Sequence, residues 1–175
     1  VSFGALAGQD ISVGLIDRKD FASETSMHSS NLVWGGIKYM ESYEFGLVRK
    51  LCMSRNQLMK AYPTNIRELR FFTNLDRGFR FPAIMLYMGA FLYWLIGNCF
   101  TRPPRLLTTS KIRSEEPVVS TDKSIGGIEY SDAYLPENDA RFVFQFIRGA
   151  IDRGGIALNY VESIGGFQIG LASNA

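Results

Sequence analysis

Twenty-one consecutive residues without a charge, Phe81 to Thr101 (FPAIMLYMGAFLYWLIGNCFT), constrain this chain more than any other stretch. So long an apolar run must leave water, into a protein core or into lipid, because apolar burial dominates both folding and membrane association. Its length suffices on paper to cross a bilayer. Pro82, Gly89, Gly97 and Asn98 interrupt it, however, and Arg77 and Arg80 before it are matched by Arg102 and Arg105 after it. No charge asymmetry sets an orientation. The reading is a helix buried in a core or between domains, or one resting on a membrane surface, in preference to a span.

The remaining sequence can supply such a core. Of 175 residues, 46% are hydrophobic and 21% charged, the balance of a globular domain. A net charge of +2 is too small to argue for nucleic-acid binding by bulk electrostatics, and no nucleic-acid partner is expected. Cys52 and Cys99 form neither a disulfide framework nor a metal-spaced pair, which suits a reducing compartment. The first thirty residues carry no signal-peptide pattern. The chain starts at Val1, inside what reads as the last turns of a helix, so the expectation is a fragment whose upstream part is missing.

Short apolar runs alternate with amphipathic ones, which argues for an α/β fold. ISVGLI (residues 11–16) reads as a buried parallel strand ending at Asp17. From Glu44 to Tyr62, Phe45, Val48, Leu51, Cys52, Leu58, Met59 and Tyr62 recur at three- and four-residue steps on one helical face, and Pro63 ends the helix. LRFFT (69–73) predicts a strand and NLDRGF a turn. A short helix is expected from Ser110 to Glu116, and GGIEYSDAYLP reads as strand then loop. Asn138 caps a helix bearing Phe142, Val143, Phe146, Ile147, Ala150 and Ile151, closed by Gly154 and Gly155. IALNYVES is read as a further strand and GGFQIGL as the start of a hairpin.

Asp17 is the first chemical candidate. An acid closing the second strand of a βαβ unit is where dinucleotide folds accept hydrogen bonds from the adenosine ribose, and a carboxylate can receive two hydroxyls at once. An aspartate starting a polar turn is the ordinary alternative. The glycine fingerprint that should precede it is absent, as expected if the chain starts within the first helix. HSSNLVWGGIKYMES (28–42) then combines hydroxyls with a glycine pair, and glycines admit close approach of another molecule to the backbone. A polar cap followed by a turn needs the same residues. His28 stands alone in this run, Glu115 and Glu116 point apart on a helix end, and no catalysis is assigned to Asp132 or Asp139. No metal-ligand spacing, Ser/His/Asp set or phosphate loop is present.

DRKDFASETSMHSSNLVWGGIKYMESYEFGLVRK resembles the region after the second strand in FAD-dependent glycerol-3-phosphate dehydrogenases. The likeness continues through MGAFLYWLIG (88–97), EYSDAYLPENDAR (129–141) and NYVE (159–162) and covers nearly the whole chain. It implies an FAD-binding Rossmann-like domain of the glutathione-reductase type, truncated, with the beginning of a substrate domain. Residues 1–175 would form a partial FAD-binding domain lacking the first strand and glycine fingerprint, with a helical insertion at 42–116 and a strand-helix-strand at 125–162. Asp17 would bind the FAD ribose. Thr25, Ser26, Ser30, Asn31 and Leu32 would lie along the cofactor, and Gly35 and Gly36 would admit the isoalloxazine.

Three departures from the family pattern bear on the substrate: Asn31 replaces a lysine, Trp34 a histidine and Lys38 an arginine. Trp34 is donor-only and cannot act as a base, while Lys38 keeps a charge without the bidentate fork suited to phosphate. Both are expected near the substrate. The resemblance implies oxidation of a secondary alcohol, glycerol 3-phosphate or similar, with quinone as acceptor. The uncharged run with arginines at both ends supports attachment to an anionic membrane surface through residues 81–101, so the expectation is a cytoplasmic protein, peripheral on the inner face of the membrane. Two alternatives stand beside this: an FAD enzyme acting on amino or hydroxy acids, and a non-catalytic membrane-associated module.

Overall fold

The computed structural model describes residues 2–9 and 11–165. In chain order its elements are α1 Ser2–Leu6, β1 Gly14–Ile16, β2 Leu32–Val33, a 3-10 turn Ile37–Met40, α2 Phe45–Ala61 and β3 Arg67–Asp76. There follow α3 Ala83–Ile96, β4 Arg105–Leu107, α4 Thr109–Glu115, β5 Ser124–Tyr134, α5 Asp139–Ile151 and β6 Ile156–Leu158. The fold is mixed α/β, as expected. The chain divides into two compact units, Val1–Ser30 with Glu137–Ala175, and Asn31–Pro136. Apart from Gly165, the expected hairpin start lies outside the described residues.

In the first unit β1 and β6 pair in parallel, Leu15 opposite Ala157, and the backbone contact continues as Asp17 N–H donates to Leu158 O at 3.0 Å. The strand is parallel as read, but neither six residues long nor buried: it covers Gly14–Ile16, and Ile16 is 47% exposed. Among the described residues this sheet has two strands, β1 and β6, and the exposed residues of both show that its faces are not fully covered as those of parallel sheets ordinarily are. IALNYVES likewise contributes only Ile156–Leu158. Asn138 caps α5 as expected, its Oδ1 accepting from the Ala140 and Arg141 amides at 2.7 and 3.2 Å. Ile147 and Ala150 form the buried face of that helix.

In the second unit β5 is the centre: β2, β3 and β4 all pair with it antiparallel. The strand expected at 69–73 runs on to Asp76, taking up part of the expected turn, because the β5 ladder holds through Leu75 opposite Gly126. The segment 42–116 therefore carries β3 and β4 as well as α2, α3 and α4. β5 and β6, the strands on either side of α5, belong to different sheets.

The uncharged run becomes α3, whose 14 residues span about 21 Å at 1.5 Å per residue. Among the described residues no helix is long and apolar enough to cross a membrane. Ala90 and Tyr93 are buried, whereas Ile84, Met88, Leu92 and Leu95 stand exposed at helical spacing. The run is thus half core and half surface. Val48 and Cys52 from α2 meet Tyr93, with Ile37, Met40, Ile96 and Tyr130 packed around them.

On the sheet, Glu129 of β5 is 6% exposed and bonds Arg70 from β3 and Arg105 from β4, the latter Nε at 2.6 Å. Burial pushes the Glu129 carboxyl up, but the two guanidiniums together bring it below its ordinary value. A carboxylate depressed in the folded state stabilises the fold above its unfolded-state pKa and loses that contribution as pH falls through the folded value. Glu129→Gln should therefore flatten the acid limb of stability below the usual carboxylate value of 4.5. Urea midpoints from neutral pH to about pH 3 check this, and an unchanged acid limb contradicts it.

Candidate functional site

The candidate residues fall in both units. Asp17, Thr25, Ser26 and Ser30 belong to the first; Asn31, Leu32, Trp34, Gly35, Gly36 and Lys38 belong to the second.

Asp17 stands directly beyond the carboxyl end of β1. Its Oδ1 accepts the Lys19 amide at 2.9 Å, a turn contact that aims the half-buried carboxylate, and its own carbonyl accepts from Val161 N–H. Ligands of parallel sheets bind outside the carboxyl ends of the strands, and this is such an end. A run of turns follows, carrying Thr25 and Ser30 exposed and Ser26 half-buried. Ser23 was not singled out by sequence, yet its Oγ is buried and, among the described residues, without a hydrogen-bond partner. Buried hydroxyls are seldom left so, and a polar ligand or water is the usual remedy. His28 is exposed.

In the second unit Asn31 adopts φ 58°, a left-handed conformation Asn tolerates, and its carbonyl accepts from Leu135 N–H at 2.8 Å. Leu32 pairs opposite Tyr134. The Trp34 ring is 38% exposed, its centroid 5.9 Å from that of Tyr39. Lys38 lines a cavity of about 620 Å³ together with Glu41, Arg80, Phe81, Met85 and Leu86. That volume lies within the range of small-molecule sites.

The glycine pair has a structural cause that sequence did not disclose. A Cβ on Gly35 would lie 2.0 Å from Tyr93 Oη, 2.8 Å from Arg55 Nη1 and 3.0 Å from Cys52 Sγ. Gly36, at φ +81°, would place one 2.6 Å from Leu51 Cδ1. The space freed by both glycines is therefore filled by this chain's own side chains, and any ligand approach is from another direction. Gly35 N–H donates to both Asp132 oxygens, at 3.0 and 3.2 Å, and Gly35 O accepts from Cys52 Sγ at 3.5 Å. Among the described residues the buried Gly36 N–H meets no acceptor.

Asp132 itself is 1% exposed and paired with Arg55, 2% exposed, at 2.9 Å. Tyr93 Oη donates to Asp132 Oδ2 at 3.0 Å, and the Ala133 amide donates to Oδ1 at 3.2 Å. Arg55 Nη1 also donates to Tyr93 Oη at 3.0 Å, its Nε and Nη2 donate to Asn56 Oδ1, and Asn56 Nδ2 donates to Gly97 O at 2.8 Å. Burial is the largest influence on Asp132 and leaves its carboxyl above the ordinary value despite these bonds. Burial also pushes the Tyr93 hydroxyl and the Cys52 thiol up, so both remain protonated donors at neutral pH. Glu115 pairs with Arg105 and Lys111, and Arg141 with Glu137, as structural rather than chemical contacts. Among the described residues no cluster of metal ligands forms.

In the first unit the end of a parallel strand carries an acid, the setting in which nucleotide-cofactor folds bind their ligand. Comparison makes this specific: the model of the DAO family, FAD dependent oxidoreductase, matches residues 5–174. The chain belongs to this family, whose cofactor is FAD. It is 36% identical over 152 residues to D-erythritol 1-phosphate dehydrogenase of Brucella abortus (strain 2308), covering 87% of this chain and 30% of that protein. To the aerobic glycerol-3-phosphate dehydrogenase of Escherichia coli (strain K12) it is 32% identical, covering 87% and 29%. Among solved structures, glycerol-3-phosphate dehydrogenase from Bacillus halodurans complexed with FAD superposes with a TM-score of 0.61 at 21% identity, over 95% of this chain and 25% of that one. Glycine oxidase from Geobacillus kaustophilus superposes at 0.64 and 16%, over 90% and 42%. The chain thus spans less than a third of these curated relatives.

The residues of the first unit fit the nucleotide part of FAD: Asp17 offers an acceptor at a strand end, and Ser23 a buried hydroxyl without a partner among the described residues.

Proposed function

We propose that this chain is the cofactor-binding part of a dehydrogenase that oxidises the secondary alcohol of a polyol phosphate, glycerol 3-phosphate or a close relative, and passes the electrons to quinone. When bound, FAD supplies the hydride acceptor. Asp17 receives the ribose hydroxyls, and Thr25, Ser26, Ser30, Asn31 and Leu32 run along the cofactor. The segment Gly35–Gly36 lies against the isoalloxazine. Lys38 attracts the substrate's anionic group as a point charge, and Trp34 packs on it or donates a hydrogen bond without taking a proton.

The observation that carries the reading is Asp17 at the carboxyl end of the parallel strand β1, in a chain whose family is defined by FAD. Two relatives bearing polyol-phosphate names support the substrate class. Substrate-dependent bleaching of the yellow protein tests it. Erythritol and glycerol phosphates should bleach the flavin faster than a panel of amino and hydroxy acids. The reverse order would establish the amino- or hydroxy-acid alternative, which the donor-only Trp34 leaves open.

The exposed stripe Ile84, Met88, Leu92 and Leu95, with Arg80 at its start, supports the reading of peripheral attachment to an anionic membrane, which on this proposal is the cytoplasmic face. Met88→Glu should then reduce co-sedimentation with anionic vesicles several-fold. Undiminished binding would rule the stripe out as the contact.

A further inference from the structure

The Gly35 peptide is gripped on both sides by buried groups. Its N–H is held by Asp132, which Arg55 and Tyr93 fix in turn, and its C=O is held by Cys52. Four side chains from three elements, α2, α3 and β5, thus converge on one residue of a loop. A loop residue needs no such apparatus merely to turn, and burying an ion pair for it is costly. The arrangement has a geometric consequence. No peptide bond here is cis, and in a trans peptide the C=O and N–H point in opposite directions. Holding Gly35 N–H toward Asp132 turns the Trp34 carbonyl away from the network. Holding Gly35 C=O toward Cys52 likewise turns the Gly36 N–H away from it. That amide opens the 3-10 turn Ile37–Met40 and, among the described residues, bonds no acceptor.

We propose that Asp132, Arg55, Tyr93 and Cys52 are positioning residues for the flavin: they lock the Trp34–Gly35–Gly36 peptides so that the Gly36 N–H is presented to the cofactor ring in a fixed direction. This rests on the reading that the glycine pair lies against the isoalloxazine. None of the four touches substrate or cofactor in this role; they act through the backbone they hold. A preorganised amide aimed at developing negative charge stabilises it without reorganisation, so the network sets how readily the flavin is reduced. The charge state of the network contributes in the same direction. Tyr93 donates to the Asp132 carboxylate and disperses its negative charge, and removing that donor opposes reduction.

The test uses the FAD-loaded protein and three variants. Tyr93→Phe keeps the ring, including its edge-on contact with Tyr130 at 6.2 Å between centroids, and removes only the hydroxyl. Cys52→Ala releases the Gly35 carbonyl from the other side, so the network is still probed if one variant does not fold. Ile112→Val, at a residue 1% exposed in α4 with no part in the network, loosens the same unit elsewhere. The readouts are the bound FAD per chain, the flavin absorption bands, the midpoint potential and the melting temperature. With FAD still bound, Tyr93→Phe should shift the bands and lower the potential, Cys52→Ala should shift the bands, and Ile112→Val should lower only the melting temperature. If Tyr93→Phe and Cys52→Ala lower the melting temperature while bands and potential match the wild type, the network is structural only and the proposal is overturned. If the wild-type protein itself carries no flavin, the underlying reading fails, and the proposal with it.

Discussion

Gly35→Ala should cost the protein on the order of 3–5 kcal/mol, a large share of the 5–15 kcal/mol that holds a typical domain together. The added methyl would meet Tyr93 Oη at 2.0 Å and Arg55 Nη1 at 2.8 Å. Neither is free to give way. Tyr93 is 2% exposed and bonded to Asp132, and Arg55 is bonded to Asp132, Tyr93 and Asn56. Overpacking alone costs about 1–3 kcal/mol, and parting the buried ion pair adds the remainder. Gly36→Ala should also destabilise, because φ +81° is strained for alanine and Leu51 Cδ1 lies 2.6 Å from the new atom. Urea or guanidinium midpoints measure both. A Gly35→Ala protein as stable as the wild type would mean that Tyr93 and Arg55 do not fill that space.

The second large effect is expected at Arg55. Arg55→Met leaves the Asp132 carboxylate 1% exposed without its counter-charge, a loss of about 3–5 kcal/mol when one partner of a buried pair is removed. The double variant Arg55→Met/Asp132→Leu should recover part of that loss, because replacing both charges by apolar groups removes the desolvation penalty together with the attraction. A double-mutant cycle isolates the coupling. Additive losses would show that the two side chains do not depend on each other. Both predictions concern stability alone, which separates them from the flavin readouts that test positioning.

The sequence made some of this legible for definite reasons. The periodicity that marked α2 was readable because Val48 and Cys52 on its predicted face pack against Tyr93, although Phe45 at the start of that face is exposed. The Asn138 cap followed from one side chain's local preference for exposed amides. Strand lengths were less readable: β3 outran its apolar pattern because it pairs with β5 along ten residues, whereas β1 has one neighbouring strand among the described residues and is only three residues long. The uncharged run pointed to burial, but only the packing of Ala90 and Tyr93 shows which face of α3 is covered.

The buried network was the main omission. Arg55 lies seven residues after Val48 and three after Cys52, on the apolar face of α2, and a charge at such a position is the available signal. Asp132 was visible in YSDAY, but its partners come from positions 35, 55 and 93, and no local pattern joins them. The glycine pair was read as room for a ligand, whereas the room is occupied by Tyr93, Arg55 and Leu51. Family resemblance carried the cofactor; physical contact explains why the residues are glycines.

The most direct single measurement is the FAD content and affinity of the purified protein compared with Asp17→Ala. The account predicts a yellow wild-type protein with one flavin per chain, and a variant that folds but binds FAD about 10- to 100-fold more weakly, as expected for hydrogen bonds to a carboxylate. A wild-type protein with no flavin absorbance, or an Asp17→Ala variant that holds FAD as tightly as the wild type, would contradict it.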